Sequence, residues 1–297
     1  MSSKRESLGD RIFLFFVWFI VIFLFLVVLY PLILVLSNSL SSATLVATGR
    51  IWLFPREFTI MGYQRVFQDP AIMRGYANTI FYTFFGTAIN LAVTVPVGYS
   101  LSKKTLPGRK FLTFYFLLIM YFSGGMIPTF LLVRNLRLYD TRTVLLVLGA
   151  FGAYNSIICR AFFASIPQEL EDAAEIDGCT PIRTFFQVAL PVSQALIGVM
   201  TLFFAVGHWN SFFNAMIYTI NPMITPLQLV LRRILVLEEA SAAMIADHDI
   251  EFMLERFYIR ELIKYAVIVV SSLPLLLLYP FLQKYFVKGV MIGSLKG

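Results

Sequence analysis

The chain alternates between long apolar stretches and short polar interruptions. The first apolar run opens at Ile12 and extends to about Leu36, with Pro31 near its far end. Further runs occupy 75–102, 111–133, 143–163, 192–218 and 262–286. A hydrocarbon core roughly 30 Å thick needs about 20 apolar residues per helix. Every run meets that length, and none carries an extended strand pattern. The pattern predicts an all-α integral membrane domain over 12–287, with six spans and both termini on one side. Pro96 interrupts the second run, and Ser123-Gly124-Gly125 with Pro128 interrupts the third.

The interruptions set an orientation. Lys103, Lys104, Arg109 and Lys110 stand in eight residues without an acid, and short loops of this kind stay cytoplasmic. The polar segments 1–11 and 288–297 are then cytoplasmic as well. Segments 37–76 and 219–261 become extracytoplasmic, the latter carrying a helical apolar pattern from Leu227. The 134–142 loop opposes this choice, since it holds Arg134, Arg137 and Arg142 yet falls outside. Cations summed over all loops divide evenly between the two sides, so the total decides nothing.

The interruption at 164–191 reads ASIPQELEDAAEIDGCTPIRTFFQVALP. Ser165 and Gln168 have the form of a capping box, and Pro167 suits a first helical turn. Gly178 predicts a helix stop, and Thr180-Pro181 a new start. Leu170, Ala173, Ala174 and Asp177 fall at i, i+3, i+4 and i+7 and so share a face. Glu169, Glu171, Asp172 and Glu175 cover the remainder, without a Lys or Arg in the helix. An acidic helix with a small-residue ridge suits a groove on another protein, although a solvated connector explains the same features.

Asp172-Ala173-Ala174, three residues, Gly178, nine residues and Val188-x-Leu190-Pro191 resemble the EAA loop of permease subunits in binding-protein-dependent ABC importers. The longer form Pro167-x-Glu169-Leu170-Glu171-Asp172-Ala173-Ala174-x-Ile176-Asp177-Gly178 is similar to the carbohydrate branch. Asp172 replaces the usual Glu and Val188 the usual Ile. Gly124-Gly125-Met126-Ile127-Pro128 and the tail from Lys288 to Gly297 also resemble complex-carbohydrate permeases, those of maltose-type and alginate importers. The resemblance implies a six-helix type I importer permease with a cytoplasmic coupling helix, forming half of an oligosaccharide path. It implies a second, different permease subunit, two ATPase subunits holding ATP and Mg, and an external solute-binding protein met by the 226–258 loop. It assigns ATPase docking to Glu171, Asp172, Ala173, Ala174, Asp177 and Gly178, with a further contact at Lys296 and Gly297.

Composition narrows the alternatives. The 297 residues are 59% hydrophobic and 14% charged, too apolar for a soluble domain. A net charge of +7 fits contact with anionic lipid better than nucleic acid in so apolar a chain. Cys159 and Cys179 make no disulfide framework, and no phosphate-binding GxxxxGK[ST] loop occurs. No base, nucleophile or metal constellation emerges, and Asp247-His248-Asp249 reads as solvated surface. The chain is expected to be a transport subunit without its own cofactor, metal or catalytic residue. The rival reading is a membrane enzyme acting on lipid-linked sugars.

Polar residues within apolar runs need partners or water. Tyr154, Asn155, Trp209, Asn210, Ser211 and Asn214 are candidates to line a path, since amides and flat rings suit sugar hydroxyls and faces. Asn210 and Asn214 lie one turn apart and are expected on one face. Gly124 and Gly125 could open the third span. Interhelical hydrogen bonding and close packing explain these residues equally well. No carboxylate lies centrally in a span, which disfavours proton or sodium coupling. Neutral and acidic sugars both remain open as substrates.

Overall fold

The computed structural model describes residues 8–242, 257–277 and 280, and every regular element among them is helical. The first are α1 Leu8–Ser39, α2 Ala43–Ala47, α3 Met61–Gln68 and α4 Pro70–Ser102. Next come α5 Arg109–Tyr121, α6 Met126–Asn135, α7 Arg142–Val147, α8 Ala153–Phe163 and α9 Glu169–Ile176. Then follow α10 Pro181–Thr184, a π-helical turn Phe185–Ala189, α11 Leu190–Val192, α12 Gln194–Trp209, α13 Phe213–Tyr218 and α14 Leu227–Ala242. Residues 257–277 form α15. Residues up to Asp69 with Ile234–Leu273 make one compact unit, and Pro70–Arg233 with the chain from Pro274 makes another.

In the first unit α1 is apolar on all sides, and its most apolar window buries nothing within the chain. A helix without a polar face has lipid or another apolar chain as its surroundings. Its end is polar and buried. Asn38 Nδ2 donates to the Leu34 carbonyl at 2.7 Å, and Ser39 Oγ bonds the Tyr63 hydroxyl at 2.7 Å. Val46, Ile51 and Leu262 form the small core beside it. Gly62 lets α3 approach α15, since a Cβ there would stand 3.1 Å from Leu262 and Ala266.

In the second unit α4 is the scaffold, packing along α8 and α12. Its glycines set the approach: a Cβ on Gly98 would overlap that of Cys159, and one on Gly86 would lie 2.5 Å from the His208 ring. Val95, Tyr99, Cys159, Phe163, Phe185, Leu196, Met200 and Phe204 fill the core between these helices. Near the start of α4, Asn78 Nδ2 donates to the carbonyls of Met223 and Thr225 at 2.9 and 3.0 Å. Tyr82 Oη donates to the Ile224 carbonyl at 2.8 Å, so one face of α4 holds the loop before α14.

The expected spans are less continuous than their hydropathy. By length and composition two described helices, α1 and α4, can cross a membrane unbroken. The third run is α5 and α6, bent by 110° across 122–125, where Gly125 takes φ +83°. The fourth is split at 148–152 between α7 and α8, and the fifth at 210–212 between α12 and α13. Glycines at 124, 125, 149 and 152 lie in the first two of these breaks, and hydropathy averaged over a window cannot register them. The sixth run is helical over 262–277 as part of α15, while most of 278–286 lies outside the described residues.

Candidate functional site

Two places gather the residues singled out by sequence. The first is the turn built on α9. Gly178 at φ +76° ends this helix, with its N–H bonded to the Glu175 carbonyl at 3.0 Å and Cys179 N–H to Ala174 at 2.9 Å. That double bond is a Schellman stop, which needs a left-handed residue and so a glycine. Thr180 caps α10, its hydroxyl accepting from Arg183 N–H at 3.4 Å, with Pro181 at the first helical position. The capping box expected at Ser165 and Gln168 is absent. Ser165 Oγ donates instead to the Phe162 carbonyl at 2.7 Å, because α8 ends immediately before it.

α9 also turns differently from the expected ridge. Ala174 is 6% exposed and faces inward, whereas Asp172, Ala173, Asp177 and Gly178 are exposed. Ala173 and Ala174 therefore lie on different faces of the helix, about 100° apart as neighbours in an α-helix are. Ile176 is 86% exposed, one turn from Ala173, and was not singled out by the charge pattern. Glu171 shares the inward side with Ala174, and its carboxylate pairs with Lys103 just beyond α4. The acidic helix thus has a cationic partner that is distant in sequence. Lys296 and Gly297 lie outside the described residues, as do Asp247, His248 and Asp249.

The second place is a cavity of about 300 Å³ among α4, the α7–α8 break, α12 and α13. Asn90, Leu145, Gly149, Gly152, Asn155, Phe203, Phe204, Gly207, His208, Ser211 and Asn214 line it. Asn90 Nδ2 donates to the Gly149 carbonyl, so its Oδ1 faces His208 Nε2 at 2.6 Å. An acceptor oxygen there requires the proton on Nε2, which leaves Nδ1 of a neutral ring as an acceptor. Amide, hydroxyl and imidazole groups accordingly meet two phenyl rings, a lining able to hydrogen-bond hydroxyls beside apolar faces.

Of the path candidates, Asn155, Ser211 and Asn214 share this cavity. Asn210 does not line it. α12 ends at Trp209 and a new helix begins at Phe213, so the assumed one-turn relation to Asn214 is lost. Trp209 is 3% exposed and packs edge-to-face on Tyr76, with centroids 5.6 Å apart. Tyr154 is exposed outside the cavity, and Gly124 and Gly125 are exposed at the α5–α6 break. Sequence reasoning missed Asn90 and His208. Their signal was available as an amide in the second run and a histidine in the fifth, but neither run names its partner.

No family model matches the chain. Protein LplC of Bacillus subtilis (strain 168) is 40% identical over 271 residues, covering 91% of this chain and 90% of that protein. The polygalacturonan/rhamnogalacturonan transport system permease protein YtcP of the same organism is 36% identical over 288 residues, or 97% and 99% of the two chains. Among solved structures, a chain of a bacterial ABC transporter involved in the import of the acidic polysaccharide alginate superposes with a TM-score of 0.86. It is 35% identical and covers 96% of this chain and 100% of that one. Similarity along almost the whole length, not at the EAA-like loop alone, carries the conclusion: the chain belongs to the integral-membrane permease subunits of carbohydrate ABC importers.

Proposed function

We propose that this permease lines half of a path for an acidic oligosaccharide, with the cavity at Asn155, Ser211 and Asn214 as its contact surface. The observation that carries the reading is the cavity itself, a polar lining at the breaks of otherwise apolar spans. Irregular backbone at membrane depth is tolerated where it lines a cavity. The acidic character of the cargo rests on the similarity to a polygalacturonan/rhamnogalacturonan permease and to an alginate importer.

The complete importer contains a second, different permease subunit, two ATPase subunits that hold ATP and Mg, and an external binding protein. α9 enters a cleft of one ATPase by its outward face: Asp172, Ala173, Ile176, Asp177 and the Gly178 corner. ATP-driven closure of the ATPases then biases a two-state equilibrium of the spans. The contact of Lys103 with Glu171 supports the orientation, because it joins the cationic 103–110 loop to α9. The positive-inside preference of that loop thereby extends to the docking helix, and both face the cytoplasm. No reaction is assigned to this chain, since hydrolysis belongs to the partners.

The test uses the reconstituted importer with trigalacturonate and maltotriose as probes. The reading expects ATP-dependent uptake of the acidic trisaccharide, with KM raised about three- to tenfold by Asn214→Ala or Asn155→Ala, matching the ~1 kcal/mol of a hydrogen bond. Uptake of maltotriose alone would overturn the acidic assignment. Unchanged KM in both variants would remove the cavity from the path.

A further inference from the structure

We infer that Lys103 and Glu171 form the tie through which movement of α9 reaches the membrane-spanning core. The inference rests on the docking reading above but moves Glu171 from the ATPase contact to the inner side of the helix, against the permease itself. The Glu171 carboxylate pairs with Lys103 Nζ, and the two side chains are 13% and 25% exposed. Such a pair is partly withdrawn from water, and breaking it leaves a charge without its counterion. Solvated surface pairs carry much less coupling.

The tie continues inward. Lys103 Nζ stands 4.1 Å from the centroid of the Tyr99 ring on the last turn of α4, a cation–π contact. Tyr99 meets Phe163, the last residue of α8, edge-to-face at 5.3 Å. It also meets Phe185, which opens the π-helical turn after α10, at 4.9 Å. One buried ring therefore touches the ends of three segments that surround α9 in sequence or space. Ala174 closes the same inward side, so α9 rests on the core by a small residue and an ion pair. A helix held this way can be lifted by its outward face while the pair transmits the displacement to α4. Arg109 reinforces the receiving end, its Nε donating to the Leu101 carbonyl at 2.9 Å.

The experiment uses the full importer in lipid. Ser211→Cys reports on the cavity in a Cys179→Ser background, and maleimide labelling is compared without nucleotide and with ATP plus vanadate. The tie predicts that Lys103→Glu and Glu171→Lys each retain the ATPase subunits on co-purification. Each reduces the nucleotide-dependent change in labelling at least fivefold. The reversed pair Lys103→Glu/Glu171→Lys restores at least half of it. Equal responses in single variants and parent overturn the tie, as does failure of the reversed pair. Loss of the ATPase subunits from Glu171→Lys alone would make Glu171 a docking contact and also overturn it. An unresponsive parent, or one that binds no ATPase, removes the docking reading itself. Should the single variants aggregate, Lys103→Arg must keep the response and the reversed pair must regain it.

Discussion

Asn90 Oδ1 on α4 accepts a 2.6 Å hydrogen bond from His208 Nε2 on α12, across the wall of the polar cavity. Asn90 also donates to the Gly149 carbonyl at the α7–α8 break, so one amide joins three segments. Hydrogen bonds between membrane helices are worth about 0.6–2 kcal/mol, and an orphaned buried partner costs about 1–3. Asn90→Leu should therefore destabilise the permease by about 1–3 kcal/mol in detergent denaturation. The cycle with His208→Leu should return a coupling of about 0.6–2 kcal/mol. Additive effects within about 0.5 kcal/mol would show that the two side chains do not interact.

The crossing of α4 and α8 depends on Gly98, where an added Cβ would overlap that of Cys159. Gly98→Ala should cost about 1–3 kcal/mol as an overpacked contact between two helices. The clash is with a Cβ, which makes the rescue specific. Cys159→Ala keeps that carbon and should restore nothing, whereas Cys159→Gly should recover part of the lost thermal stability. Rescue by Cys159→Ala would place the strain at the sulfur instead.

Much of this architecture was legible in the sequence because lipid imposes a strong filter on composition. Most of α4, from Gly75 to Ser102, was recognisable as one run without charge, and Gly178 and Thr180-Pro181 marked their turn correctly because local backbone chemistry decides such positions. The breaks were harder. Gly124-Gly125 pointed to the α5–α6 bend, but the interruption at 210–212 has no glycine or proline, and the face expected for Asn210 is wrong in consequence. Long-range pairs were invisible. Nothing near Glu171 names Lys103, and nothing near His208 names Asn90, because tertiary packing alone brings each pair together. Ile176 was overlooked for a simpler reason: an apolar residue in an acidic helix reads as inward-facing until the helix phase is known.

Gly178 separates backbone strain from side-chain crowding. Its φ is +76°, and a Cβ there would meet nothing within 4 Å. Gly178→Ala should therefore cost about 1–2 kcal/mol, the handedness penalty of an L-residue. Gly178→Asn should cost less, since Asn tolerates this region better. Hydrogen exchange on α9 reads the difference: its amides should exchange faster in the Ala variant than in the Asn variant. Equal exchange in both would show that the turn does not depend on the left-handed residue.

The two adjacent alanines of α9 provide the sharpest division between docking and folding. Ala173 is exposed and Ala174 buried, although both belong to the small-residue ridge read from the sequence. Ala173→Arg adds a long cation to the outward face, where the permease leaves room for it. It should leave the melting temperature of the isolated subunit within about 2 °C, the shift expected for about 0.5 kcal/mol or less at an exposed site. It should nonetheless weaken association with the ATPase subunits at least tenfold, as a charge forced into a close-fitting groove does. Ala174→Leu should behave oppositely. Its added carbons enter a filled site, so stability should fall by about 1–3 kcal/mol. Binding titrations and thermal unfolding on the same preparations decide the matter. If Ala173→Arg unfolds the subunit, or if Ala174→Leu leaves its stability untouched, the assignment of inward and outward faces is reversed. The partition of roles along α9 would then have to be redrawn.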